Sequence, residues 1–124
     1  MLHRSDIIAF VATANAGRAK SFYADTLGLS LVNEGPFALE FDANGTALRI
    51  AIVESVSPAQ HTVLGWRVGD IDSVIDSLAS NSVTFERIDG MEQDARGVWE
   101  SPGGAKVAWF KDPDGNTLSL TEEE

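Results

Sequence analysis

Four side chains in this sequence are of the types that acid–base or electrophilic chemistry on a small molecule requires. Glu40 and Glu100 could act as carboxylate acid or base, and Arg49 and Arg67 could anchor a developing or permanent negative charge. No spacing among them places two on adjacent turns of one helix or alternate positions of one strand, so a metal-independent lyase or isomerase built from them needs a fold that assembles them. It also needs a dry pocket that raises a carboxylate pKa. Nucleophilic catalysis has no constellation. There is no cysteine, no Gly-x-Ser-x-Gly elbow, and no histidine at strand parity with a serine or acid. Phosphate-cradling glycine loops are also missing, and Gly103-Gly104 after Ser101-Pro102 reads as a turn between strands. A metal assembled from His61 with Glu40 or Glu100 would join distant donors that carry no spacing signature. His61 is expected to stand exposed just ahead of a strand, and His3 to lie in a loose terminus. Phe10, Phe37, Trp99 and Trp109 offer flat surface on which an aromatic or conjugated ligand could stack, or they fill space between layers of structure.

The elements that must position these residues can be read from periodicity. Ile7–Thr13 is apolar and β-prone; Asn15 then supplies an N-cap for a helix that ends at Leu27-Gly28. Ala19, Phe22, Tyr23 and Leu27 form its apolar stripe. Three β-like runs follow, Leu29–Asn33, Phe37–Phe41 and Thr46–Val53, divided by Glu34-Gly35-Pro36 and by the hairpin signal Asp42-Ala43-Asn44-Gly45. Glu54 to Gln60, without periodicity, links to a second pass of the same plan. There Thr62–Val68 is the strand and Asp70 the cap of a helix striped by Ile71, Val74, Ile75 and Leu78. Val83–Ile88, Ala95–Glu100, Lys106–Phe110 and Thr117–Thr121 are the later strands. Superposing Asn15 on Asp70 lays Ile8 on Val63. Two βαβββ modules, about 6–54 and about 61–121, would each leave one sheet face bare. They are therefore expected to form one α+β domain over 1–124, a curved open mixed sheet around a concave pocket with the helices outside.

Composition narrows the partners. The chain has 124 residues, 44% hydrophobic and 23% charged, typical of a single folded domain. Its formal charge of −10 and scattered Lys and Arg speak against nucleic acid and anionic membranes. No signal-like leader or long apolar run is present, so cytoplasm is the simplest location. Glu122-Glu123-Glu124 reads as a solvated tail.

Three segments carry a family resemblance: Ala19-Lys20-Ser21-Phe22-Tyr23-Ala24-Asp25-Thr26-Leu27-Gly28-Leu29, Val68-Gly69-Asp70-Ile71-Asp72, and Lys111-Asp112-Pro113-Asp114-Gly115-Asn116. In order, around a doubled βαβββ plan, they resemble the vicinal oxygen chelate superfamily of glyoxalases, bleomycin resistance proteins and extradiol dioxygenases. Each also has a structural reading, in which Phe22 and Tyr23 pack the helix, Gly28 ends it, and Asp112-Pro113-Asp114-Gly115 makes a turn.

The resemblance implies that enzymes of the family hold a divalent metal through His or Glu near the first strand of each module and carboxylates near each module's end. The matching positions here are Ile8, Val63, Ser119 and a place near Arg49 or Ala51, none of which is a competent ligand set. The chain is therefore expected to hold no metal and no cofactor, and to bind a small molecule, aromatic in character, as a homodimer similar to the antibiotic-resistance members. The rival expectations are the metal-independent enzyme above and a glyoxalase- or dioxygenase-like metal enzyme with relocated ligands. If Ile8 and Val63 face the pocket, period-two alternation sends Phe10, Ala12, Gly65, Arg67 and Arg49 there too. Ile7, Val11, Leu48, Ile50, Leu64 and Trp66 then meet the helices. Val107 and Trp109 share a face whose direction the sequence leaves open.

Overall fold

The computed structural model describes residues 1–124 and divides into two compact units, Met1–Ser57 and Pro58–Glu124. No helix is long and apolar enough to cross a membrane.

In the first unit a short 3₁₀ turn, Leu2–Arg4, precedes β1 (Ile8–Thr13). Asn15 then caps α1 (Ala16–Ser21) by accepting from the Arg18 amide at 3.1 Å, one of the donors a helix start leaves unpaired. The helix widens into a π-helical turn, Phe22–Thr26, that delivers Tyr23 into the core. β2 (Ser30–Glu34), β3 (Ala38–Ala43) and β4 (Thr46–Ile52) complete a four-stranded sheet in the order β1-β4-β3-β2. The β1–β4 pair is parallel and the others antiparallel, with an irregularity between Leu31 and Asn33. Asn44 and Gly45, both at positive φ, form the two-residue β3–β4 turn, and Asp42 Oδ1 accepts from the Gly45 amide at 3.1 Å. Tyr23, Leu39, Phe41, Leu48 and Ile50 are fully buried and are joined by Val11 and Ala19. Ile7 departs from expectation. It lies one residue outside the ladder, which starts at Ile8↔Ala47, and so stays 76% exposed instead of meeting the helix. Phe37 likewise sits in the turn before β3, 82% exposed.

The second unit contains β5 (Leu64–Arg67), α2 (Ile71–Ser80), β6 (Trp99–Glu100), β7 (Lys106–Lys111) and β8 (Thr117–Glu122). The sheet order is β5-β8-β7-β6 with β5 and β8 parallel. Asp70 caps α2 through the Ser73 amide. Ile71, Ile75 and Leu78 are its buried stripe, while Val74 is only half-buried. Neither sheet closes into a barrel.

Two strand expectations shrink here. Val83–Ile88 keeps a single bridge, Phe85↔Phe110, and Ala95–Glu100 keeps two ladder residues. Gln93 explains the loss: its Nε2 donates to the carbonyls of Glu86 (2.9 Å) and Gly97 (2.8 Å), and its Oε1 accepts from the Ile88 amide (2.7 Å). Asp94 Oδ1 accepts from the amides of Arg96 and Val98, both at 2.9 Å. Side chains thus satisfy backbone groups that a strand ladder would otherwise claim.

The acidic C-terminal run is not a free tail. Glu122 Oε1 accepts from the Ile71 amide at the start of α2 (2.9 Å), and Glu123 accepts from Arg67 Nε (2.9 Å). The Asp112–Asn116 turn is structural: Asp112 Oδ1 accepts from the amides of Asp114 and Asn116, and Asn116 Nδ2 donates to Asp112 Oδ2, with both residues buried.

Candidate functional site

Strand alternation gives each sheet a core face and an opposite face. In the first unit Val11, Leu39, Phe41, Leu48 and Ile50 take the core face. The register then builds the opposite face in rows: Ile8, Ala47 and Asp42; Phe10, Arg49, Glu40 and Asn33; Ala12, Ala51 and Ala38. Arg49 therefore stands on an interior strand, with alanines before and after it and Phe10 and Glu40 at its sides. Its Nε lies 3.8 Å from Glu40 Oε1, an ion pair longer than a hydrogen bond, with the two side chains 43% and 30% exposed. Phe10 is 58% exposed. The sequence-derived placement of Phe10 and Arg49 on one face agrees with this register, which also puts Glu40 there.

In the second unit Leu118, Leu120, Ala108 and Phe110 take the core face, with Leu64 and Trp66 in register beside them. This fixes the direction that alternation alone left open: Val107 and Trp109 lie on the opposite face. The rows there are Gly65, Ser119 and Trp109, then Arg67, Thr121, Val107 and Trp99. The Trp99 and Trp109 rings lie 6.2 Å apart, tilted by 37°. Beside Trp109 the row narrows to a hydroxyl and a glycine. A Cβ added to Gly65 would approach Ser119 Oγ to 2.7 Å, so a larger residue there forces that hydroxyl aside. Trp109 also walls a depression of about 750 Å³ with His61, Glu86, Lys111 and Thr117. Glu86 and Lys111 pair across it at 3.7 Å.

The remaining expected site residues are less concentrated. Arg67 shares the tryptophan face but is bonded to Glu123, a partner that continuing the β8 alternation through 119, 121 and 123 would have revealed. Glu100 follows Trp99 by one residue and so takes the core side of its sheet, in register with Lys106 and off the tryptophan face. Phe37 lies in a turn and His61 is exposed before β5. Gln93, absent from the sequence-derived set, holds the loop that leads into Trp99. Nothing in its spacing marks that role, because its partners are backbone groups.

A second clip secures the same loop. Arg96 grips Asp76 of α2 with two bonds of 2.9 Å and reaches Asp72 at 4.0 Å. The hydrogen bond from Arg96 holds the Asp76 carboxyl below its usual pKa, and Asp76 in turn raises that of Arg96.

At the positions where the resemblance places metal ligands, the first unit has Ile8 and the cation Arg49 and the second has Val63 and Ser119, and no three His, Asp or Glu side chains gather as a metal-holding group.

With this geometry in place, residues 5–120 match the Glyoxalase/Bleomycin resistance protein/Dioxygenase superfamily. No curated protein is similar enough to match by sequence. Among solved structures, a member of that superfamily from Sphaerobacter thermophilus DSM 20745 aligns with a TM-score of 0.75 at 24% identity, over 99% of this chain and 100% of that one. TnmS3, an antibiotic binding protein from Streptomyces sp. CB03234, aligns with a TM-score of 0.74 at 24% identity, over 100% and 99%. Lactoylglutathione lyase from Agrobacterium tumefaciens gives 0.75 at 17% identity, over 96% and 93%. At these identities the structures share a fold, while their described roles include both binding and catalysis.

Proposed function

The chain belongs to the glyoxalase/bleomycin resistance protein/dioxygenase superfamily, and we propose that within it the protein is a metal-independent binder that sequesters a small, flat ligand. The observation that carries this reading is the tilted Trp99–Trp109 pair beside Gly65 and Ser119. Both tryptophans are half-buried, and an indole offers flat apolar surface on which a planar ligand can stack. The donor set around them is unsuited to a metal, which supports binding without Lewis-acid chemistry. TnmS3, with the same fold, is described as an antibiotic binding protein, and a comparable role for this chain is part of the proposal. In this reading the protein acts in the cytoplasm as a homodimer. On the same sheet face as the tryptophans Arg67 adds a contact; Phe10 and Arg49 on the first sheet, with Phe37 in the turn before β3, form a separate candidate surface in the first unit.

Two measurements test the proposal together. Adding zinc, nickel or manganese is expected to leave the melting temperature unchanged, because binding to the native state must raise it. A flat aromatic probe such as 2-naphthamide is expected to quench tryptophan fluorescence saturably and to lose affinity in Trp109→Ala. A clear metal-induced rise with stoichiometric metal would overturn metal independence, and probe binding indifferent to Trp109→Ala would remove the tryptophan platform. The adjacency of Arg49 and Glu40 favours a second reading, a metal-independent lyase or isomerase with Arg49 as electrophilic anchor and Glu40 as base. Turnover that survives both Arg49→Met and Glu40→Gln would end it.

A further inference from the structure

We infer that the first sheet carries a ligand site of its own for a planar aromatic acid, read by Arg49, with Glu40 as an internal competitor for the same guanidinium. The inference rests on the small-molecule-binding reading above and adds a ligand class on the first unit, without requiring the tryptophan pair. Arg49 has one electrostatic partner, Glu40 at 3.8 Å, and makes no hydrogen bond. Its N–H fork, whose geometry matches a carboxylate, is therefore available to a second acceptor.

The surroundings suit an acid attached to a ring. Along β4 the flanking side chains on this face are Ala47 and Ala51. The next row is alanine on three adjacent strands, Ala12, Ala51 and Ala38, giving a flat floor one row from the charge. Phe10, directly beside Arg49 in register and more than half exposed, supplies the ring contact. A cation would meet Arg49 before it could claim Glu40 alone, since Arg49 is the more exposed of the two. An anion meets the guanidinium first, and Glu40, already beyond hydrogen-bond reach, yields without breaking a directional bond.

Glu40 then sets selectivity. With no ligand it offsets the Arg49 charge; a ligand carboxylate must outcompete it through the bidentate geometry that Glu40 does not achieve. A neutral ring lacking the acid gains only the stacking and floor contacts.

The test compares 2-naphthoate with its neutral counterpart 2-naphthamide by isothermal titration calorimetry on the full chain. Naphthoate is expected to bind at least about tenfold more tightly than naphthamide, the scale of hydrogen bonds to a charged group. Arg49→Met, which keeps an apolar stem, is expected to erase that preference while leaving naphthamide affinity within about twofold. Glu40→Gln removes the competitor and is expected to strengthen naphthoate severalfold without strengthening naphthamide. Equal binding of the two probes by the wild-type protein, or a naphthoate preference that survives Arg49→Met, overturns the inference. In either case continued naphthamide binding leaves the broader binding reading standing, whereas binding of neither probe removes both. Should Arg49→Met fail to fold, the Glu40→Gln result decides: no selective gain for naphthoate counts against the inference.

Discussion

At the scale of single residues, charge in this protein is committed unevenly. Arg67, Arg96 and Lys20 each hold an acidic partner at hydrogen-bond distance, whereas Arg49 and Glu40 remain only loosely matched. The tight Arg96–Asp76 pair has a pH signature. Because the folded Asp76 pKa is depressed, its contribution to stability is fully present above the unfolded value near 3.8 and is lost as pH falls through the lower folded value. Asp76→Asn should therefore lower the urea midpoint at pH 7, and the difference from wild type should shrink steadily below about pH 4. A difference unchanged down to pH 2 would mean that the carboxylate charge is not what the clip uses. Both groups are solvent-exposed, so the effect belongs with surface ion pairs in size.

Among the elements, the departure from the duplicated plan is concentrated in the chain between α2 and β6. In the first unit β2 and β3 form an antiparallel pair with one irregularity, while the corresponding part of the second unit is held by Gln93, Asp94 and Arg96. Gln93 bonds three backbone groups at once, and removing it leaves part-buried carbonyls and an amide without their partner. Gln93→Ala should cost about 2 kcal/mol in denaturant unfolding. It should also raise amide exchange selectively at Ile88 and Trp99, since this loop opens locally before the sheet does. A uniform change across β7 and β8 would instead mark Gln93 as part of the global core.

For the whole molecule, two four-stranded mixed sheets present opposite faces with different chemistry: a guanidinium on an alanine floor in one unit, two indoles beside a glycine in the other. The first unit also exposes Val32 on its edge strand β2 and Phe37 in the following turn. Apolar side chains at an unpaired strand edge invite a second chain. A homodimer using that edge predicts a dimeric mass in sedimentation equilibrium and a shift toward monomer in Phe37→Glu. An unchanged mass in Phe37→Glu would place any self-association elsewhere.

The sequence by itself determined the helix caps at Asn15 and Asp70, the Asn44-Gly45 hairpin, the placement of Phe10 and Arg49 on one sheet face, and the family. These are local signals, set by turn chemistry and by a side-chain period of two or 3.6 that neighbouring residues already fix. Tertiary structure alone decided the face on which Trp109 lies, because alternation gives relative directions and only the buried row of Leu118 and Leu120 supplies the absolute one. It also decided the fates of Val83–Ile88 and of the acidic end. Arg67 and the Ile71 amide meet partners distant in sequence, and Gln93 bonds nearby backbone groups through a loop geometry; neither kind of hydrogen bond leaves a periodic mark along the chain.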